Sequence, residues 1–451
     1  MEGVLIRSQN PVVRSQNGKC FFKVFSYILL ILNFESEIMN LLTSGFCFLM
    51  DIWHAVGYFV LPNKQLYEHE MTTQEQLKIL HVASHNEISA GGSIQMMRLA
   101  IGLKQLGHDV SCAFNIRRSD KTPGLGTFGP LREAGIPIAS FAMQRLWKYI
   151  GMWQFKKFIA EQKFDVIHCH RFRALNFVCK ATRGMQLPAL LGDKKNSFDI
   201  PQSWARLYGS PQVDCIVVNA QLIKKMFADT GWVSPQKVEI IYNGVDLDRF
   251  HPGVDGNAVR QELGIGPATP VFGMIANFAG KKSHDILFQA AVKVIERFPQ
   301  ARFLLVGGGD SQRYQKELSR HGYGTNFIFT GFRSDIPQII AALDVSVISS
   351  KRGEGLTGSV VEAMAMAKPV VSTAVAGNPE FVHDRETGML VKPGNVQAMA
   401  DAMLYLLDNP DEAAAMGRRG FEFAKDKIDN RRRSEHFVDI YRGIMQRKGL
   451  S

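Results

Sequence analysis

From about residue 77 onward, apolar positions cluster in short runs rich in Val, Ile, Leu and Phe, separated by stretches where they recur every three or four residues. The short runs suit strands buried on both faces, and the longer ones suit amphipathic helices. LKILHVAS, DVSCAFN, IPIASF, DVIHCH and the runs 188–193, 214–218 and 238–241 predict strands. Between them the spacing predicts helices over 93–106, up to about 135, up to 158 and over 221–230. The alternation then repeats, with strands over 271–276, 302–306, 327–330 and 344–350 and helices over 284–298, from 312 and over 336–343. Alternation of this kind implies parallel sheets covered by helices, and its repetition implies an α/β chain of two Rossmann-like domains. The length of 451 residues also exceeds what one core usually serves. We divide the chain into an N-terminal extension, 1–75, two domains, 76–243 and 244–430, and a last segment, 431–451. In that last segment a helix from about Ser434 crosses back to the first domain.

Residues 1–75 follow a different pattern, with apolar segments over 24–34 and 38–50 separated by Glu35 and Glu37. Neither reaches the roughly 20 residues that span a bilayer. Asn33-Phe34-Glu35 also lacks the small residues of a signal-peptide cleavage site. Two readings stand: a peripheral hydrophobic appendage, or an upstream extension of a reading frame that natively starts at Met71. The second is favoured, because the orderly alternation begins directly after Met71.

The stretch with the most chemistry is KRGEGLTGSVVEAMAMAKP, residues 351–369. It follows a β-branched strand and leads into helix formers, so it is a strand-to-helix turn. Thr357 is placed as the N-cap, while Gly355 and Gly358 allow close backbone approach. Free amides at the helix start favour a phosphate. Glu354 and Glu362 beside such a site would repel the phosphate unless they face hydroxyls, which carboxylates accept from well. Together these features point to a nucleotide sugar. The plainer alternative is a capped helix with a solvated Glu354.

Glu354 and Glu362 stand in E-x7-E spacing, and EGLTGSVVEAMA resembles the signature of the retaining GT-B glycosyltransferases, glycosyltransferase family 4. The resemblance implies two facing Rossmann-like domains with the active site in the cleft between them. It assigns Glu354 to the donor sugar and Glu362 to the nucleotide ribose. Gly355-Leu356-Thr357-Gly358 departs from the family's aromatic-Gly pair after the first Glu. ANFAGKKSHD, residues 276–285, aligns with G-R-L-x-x-x-K-G-x-[DE], so Lys282 matches the lysine on the diphosphate. Asn277 replaces the usual arginine there, leaving Lys281 as a replacement cation. Gly331 and Phe332 lie where relatives hold the base, and Gly377-Asn378-Pro379-Glu380 falls in the cleft-side loop. Gly91 and Gly92 match the family's glycine-rich first loop, where backbone meets the donor. YNGVDLDRFHP, residues 242–252, matches the link between domains; its Asp246 and Asp248 spell D-x-D, discounted as lying away from the phosphate site.

DVIHCH puts His168 and His170 on one face at the carboxyl end of a strand. A metal pair, structural hydrogen bonding and a sugar contact compete, and the metal reading lacks a nearby third ligand. The resemblance assigns His170 to the reacting sugar and leaves His168 structural. Lys194-Lys195-Asn196 stands where relatives have a Thr/His turn; it reads either as an anion contact facing the acceptor or as a solvated turn.

The six cysteines lack any C-x-x-C pair and read as reduced and mostly buried, which suits a cytoplasmic chain. The formal charge of +11 is dispersed, with Arg431-Arg432-Arg433 as its longest basic run. It suits a phosphorylated or lipid-linked acceptor at an anionic membrane surface better than nucleic acid. The resemblance implies a hexosyltransferase-type enzyme that uses a nucleoside-diphosphate sugar, needs no metal or other cofactor, and works in envelope polysaccharide or lipopolysaccharide synthesis. It suggests a peripheral place at the inner face of the cytoplasmic membrane. Its rivals are a GT-B-like nucleotide-sugar epimerase and a non-catalytic binding protein. A chain beginning at Met71 is expected to fold and bind donor as well as the full chain; insolubility or lost binding would assign residues 1–70 to the fold.

Overall fold

The computed structural model describes residues 75–88, 91–115, 128–144 and 147–450. Every element below belongs to the compact unit Gln76–Ser451. The apolar segments 24–34 and 38–50, Met71, Cys20 and Cys47 lie outside the described residues.

The first half contains β1 (Lys78–Ala83), α1 (Gly91–Gln105), β2 (Asp109–Phe114), α2 (Gly129–Glu133), β3 (Ile138–Ser140), α3 (Lys148–Gln162) and β4 (Val166–His170). It continues with α4 (Phe172–Ala181), β5 (Ala189–Lys194), α5 (Gln202–Gly209), β6 (Cys215–Val218), α6 (Gln221–Asp229) and β7 (Val238–Ile240). Among the described residues these strands form a parallel sheet of order β3-β2-β1-β4-β5-β6-β7. The order reverses between β1 and β4, which opens a crevice beyond their carboxyl ends, where such sheets bind ligands.

The second half contains α7 (Asn257–Glu262), β8 (Val271–Ile275), α8 (His284–Arg297), β9 (Arg302–Val306), α9 (Gln312–Arg320), β10 (Phe327–Gly331) and α10 (Ile336–Ala342). Then come β11 (Val345–Ile348), α11 (Gly358–Ala365), β12 (Val370–Thr373), β13 (Met389–Val391), α12 (Val396–Asp408), α13 (Pro410–Ile428) and α14 (Asn430–Lys448). Its described strands form a parallel sheet of order β10-β9-β8-β11-β12-β13, reversing between β8 and β11. The chain is thus α/β with two parallel sheets, each covered by helices.

Some elements differ from the sequence pattern. Helix α4 follows β4 after a single residue, Arg171, held at φ +82, so no polar run announces it. Helix α11 stops at Ala365, because Ala367 turns left-handed at φ +51. Helix α14 starts four residues before Ser434, because the Asp429 carboxylate accepts the Arg431 amide at 2.8 Å. It packs Phe437, Tyr441 and Ile444 into the core of the first sheet. The two passages of chain between the halves run together: Val245 N–H donates to the Ile428 carbonyl at 2.6 Å, and Asn430 N–H to that of Val245 at 3.0 Å. Cys112, Cys169, Cys179 and Cys215 are free and buried. Among the described residues no helix is long and apolar enough to cross a membrane.

Gly417 lets α13 lie against the end of α11, since a Cβ there would sit 2.1 Å from the Ala367 carbonyl oxygen. Gly417→Ala should gain up to about 1 kcal/mol in helix propensity and lose about 1–3 kcal/mol by forcing backbone apart. The expected result is a lower thermal midpoint by about 2 °C or more; a higher midpoint would show that the contact yields freely.

Candidate active site

After β11 the chain runs through residues 349–357 and enters α11 at Gly358. Thr357 occupies the N-cap position with extended backbone, but its hydroxyl does not cap the helix and is buried without a partner. Its amide donates instead to Asn378 Oδ1 at 3.1 Å, which fixes the turn to the Gly377–Glu380 loop. An orphaned hydroxyl next to first-turn amides suits an anionic ligand. Leu356 sends its side chain into the core with Phe250 and Val360, so it can offer a ligand only backbone. Gly355 is sterically required: a Cβ would lie 2.0 Å from Asn219 Oδ1.

Glu354 is 7% exposed. Its Oε1 lies 3.1 Å from Lys282 Nζ and 3.4 Å from Lys281 Nζ, in ion pairs that align no hydrogen bond to that oxygen. Burying a carboxylate this far is tolerable only with charge opposite it. The Ser349 hydroxyl lies 3.0 Å from the carbonyls of both Lys282 and Ser283, tying the lysine loop to the end of β11. Glu362 pairs with Arg98 of α1 at 2.8 Å, and Arg98 also donates to the Gly244 carbonyl at 3.1 Å. Asn277 accepts the Gly308 amide at 3.2 Å, so it orders the neighbouring loop and leaves Lys281 as the second cation.

The floor of the crevice is a histidine cluster. His170 Nδ1 lies 2.7 Å from Asp193 Oδ2, and His168 Nε2 lies 2.8 Å from Asp193 Oδ1. A carboxylate only accepts, so both of these nitrogens carry protons. Burial holds the His170 pKa down at about 3, so its ring is neutral and Nε2 is bare. That atom therefore accepts from His81 Nδ1, 2.9 Å away, and His168 Nδ1 accepts from the Tyr441 hydroxyl at 2.8 Å. His81 Nε2 remains, buried and without a partner. Burial pushes the Asp193 carboxyl up, but Lys195, 2.7 Å away, and the two imidazoles outweigh it and hold it well below the usual range.

His81, directly across from His168 in the β1–β4 register, is the third imidazole that sequence spacing missed. The three could meet at one ion, but the lone pairs of His168 and His170 are already engaged and Lys195 stands beside them. The cluster is filled as a hydrogen-bond chain. Its consequence for His170 is that neither ring nitrogen is free for a sugar unless the link to His81 opens. Lys194 and Lys195 form neither a solvated turn nor two free anion contacts: Lys194 folds onto Asn196 Oδ1 and the Phe198 carbonyl at 2.8 and 2.9 Å, and Lys195 serves Asp193.

One cleft of about 1500 Å³ is lined by Gly91, Gly92, His170, Asn277, Lys282, Phe332 and residues 354–359 with Glu362, among others. Gly91 and Gly92 already belong to the first turn of α1, rather than preceding it. Gly331 adopts φ +70, and Phe332 is 64% exposed at the lip. Asp246 and Asp248, in the link between the halves, also line this cleft.

The match to known families agrees with this geometry. The Glycosyltransferase Family 4 model matches residues 89–249, and the Glycosyl transferases group 1 model matches residues 269–409. This chain belongs to the family 4 glycosyltransferases of GT-B fold. It is therefore a transferase. This glycosyltransferase is 28% identical to the putative glycosyltransferase EpsD of Bacillus subtilis over 362 residues, 76% of this chain and 91% of that protein. It is 23% identical to the UDP-Gal:alpha-D-GlcNAc-diphosphoundecaprenol alpha-1,3-galactosyltransferase of Escherichia coli, over 56% of this chain and 69% of that protein. In fold it resembles Anabaena Alr3699/HepE, solved with UDP and glucose, with a TM-score of 0.71 and 22% identity, over 82% of this chain and all of that one.

Besides His81, the glycosyltransferase site draws on Asp193, Arg98, Asn219 and Asn243, whose amide donates to the Leu356 carbonyl at 2.6 Å. Only Asp193, at a strand end, had a local signal. The buried histidines give the protein an acid-sensitive stability. The pKa of His170 is lowered to about 3 and those of His85 and His284 to about 4, in each case mainly by burial. A depressed folded pKa means stability present above the unfolded value of about 6.5 and lost as pH falls toward the folded value, at up to about 1.4 kcal/mol per pH unit for each histidine. The urea midpoint should therefore fall between pH 6.5 and pH 4, and less steeply in His170→Asn. Equal slopes in parent and variant would count against a neutral, hydrogen-bonded His170.

Proposed function

We propose that this glycosyltransferase moves a hexose from a nucleoside diphosphate to an acceptor hydroxyl with retention at the anomeric carbon. The observation that carries this reading is the Glu354–Lys282 ion pair, 3.1 Å, beside the unpartnered Thr357 hydroxyl and the start of α11. A diphosphate arriving there exchanges one anionic partner of Lys282 for another, and Lys281 stands by as a second cation. Glu354, released from its lysines, is then free to accept from sugar hydroxyls. Glu362 accepts from the ribose in place of Arg98. The departing diphosphate oxygen takes the acceptor proton on the same face of the sugar, so no protein nucleophile and no metal are required.

Among the relatives, the Escherichia coli enzyme is named for a diphosphoundecaprenol-linked acceptor, and a Corynebacterium glutamicum mannosyltransferase, 32% identical over 48% of this chain, for a phosphatidylinositol mannoside. These names support a lipid-linked glycan acceptor; on that reading we propose a role in envelope polysaccharide or lipopolysaccharide assembly, with peripheral work at the inner membrane face.

The test is calorimetric affinity for UDP, GDP and their sugars, with nucleotide release followed with and without acceptor extract in EDTA. Lys282→Ala should weaken the free diphosphate about ten- to a hundredfold, as expected for a charge-assisted contact of about 1.5–3 kcal/mol. Glu354→Ala should leave that affinity unchanged or raised, because it removes the competitor for Lys282, yet lower transfer. Glu362→Ala should weaken nucleotide and nucleotide sugar alike. Parent transfer rates in both glutamate variants would refute the assignment. Activity lost in EDTA and restored by Mn²⁺ would refute the metal-free reading.

A further inference from the structure

Helix α3 presents a face that nothing in the described fold covers. Trp147 is 68% exposed, Tyr149 64%, Ile150 50% and Trp153 67%, half of the large exposed hydrophobics among the described residues. Single exposed apolar residues are ordinary, but four together within two turns of helix are not. The helix is not loosely held. Phe155 and Ile159 are buried in the first core, and Gly151 brings the helix so close to the preceding segment that a Cβ would lie 2.1 Å from the Ala142 carbonyl oxygen. Its aromatic side is therefore held outward by packing on the other side.

The charges along that segment are mainly basic. Lys148 lies over the Tyr149 ring with Nζ 4.9 Å from its centre, and Lys156, Lys157 and Lys163 are exposed along the same segment. Glu161 is the one acid in the helix and sits 3.7 Å from Lys157. Indole and phenol rings favour the depth of lipid headgroups, where apolar body and polar edge are both satisfied, and nearby lysines add attraction to anionic lipid. A second copy meeting this face about a twofold axis would instead oppose lysine to lysine.

We infer that Trp147, Tyr149, Ile150 and Trp153, with Lys148, Lys156 and Lys157, form a docking surface for an anionic lipid bilayer. The inference deepens the proposed function by giving the lipid-linked acceptor reading a surface, and it can fail separately from it. The test uses the full chain with vesicles of phosphatidylcholine alone and of phosphatidylcholine with phosphatidylglycerol. The parent should bind the anionic vesicles more tightly, and its tryptophan emission should shift to the blue. Trp147→Ser with Trp153→Ser should lower that binding about tenfold or more and abolish most of the shift, while UDP affinity and thermal midpoint hold. Lys156→Glu with Lys157→Glu should weaken binding chiefly at low salt.

Undiminished vesicle binding in the tryptophan variant would overturn the inference and move the lipid contact elsewhere, residues 1–75 included. No binding by the parent, or a dimer that the tryptophan variant converts to monomer, would overturn it too. Vesicle binding without any UDP affinity would uphold this surface and refute the donor reading instead.

Discussion

The site is organised around one close approach: a Cβ at Gly355 would lie 2.0 Å from Asn219 Oδ1, so a side chain there has to displace that amide. With that position bare, the loop can be tied to the first half of the molecule by its peptide groups. Ser197 N–H donates to the Glu354 carbonyl at 2.8 Å, and Asn243 holds that of Leu356. On the other side the Glu354 carboxylate meets the lysine loop, and the Thr357 hydroxyl stays buried without a partner. A buried carboxylate and a buried hydroxyl lacking its own partner are both costly in isolation. Their presence together at the mouth of α11 is the kind of local inconsistency that ligand binding relieves.

The opposite wall is built on a different economy. Asp193 accepts from two imidazoles and from Lys195, so its charge is distributed over three donors at the buried floor of the cleft. Each imidazole is thereby fixed in one tautomer, and the chain of donors ends at the bare His81 Nε2. The two walls are bridged by Arg98, which joins Glu362 to the link at Gly244. Both walls of the cleft thus carry ion pairs, and on the histidine side the ion pair orients neutral rings.

Local spacing suffices to read part of this. The E-x7-E interval, the strand-to-helix turn and the glycines around it are set by residues adjacent in sequence, and the alternation of runs identifies the α/β class. The loop at Lys281 and Lys282 is legible only through the resemblance of ANFAGKKSHD to the family's lysine loop. What spacing could not reach are the contacts that arise between distant segments. His81 stands in an ordinary apolar strand, and only the β1–β4 register brings it to His168. Tyr441 lies some 270 residues beyond His168 and meets it because α14 returns to the first sheet. Lys194 and Lys195 look like a solvated pair until the strand β5 is seen to run through Lys194 and draw both inward.

The return of α14 also fixes an order of events during synthesis. The first sheet, although made early, lacks Phe437, Tyr441 and Ile444 from its core until the last helix has left the ribosome. At roughly 5–20 residues per second, the first half waits on the order of ten seconds or more after β7 emerges. Throughout that interval one apolar side of its sheet stays open and the His168 ring lacks its tyrosine donor. The two halves therefore cannot mature one after the other: the older half is completed by a helix made after the whole second sheet.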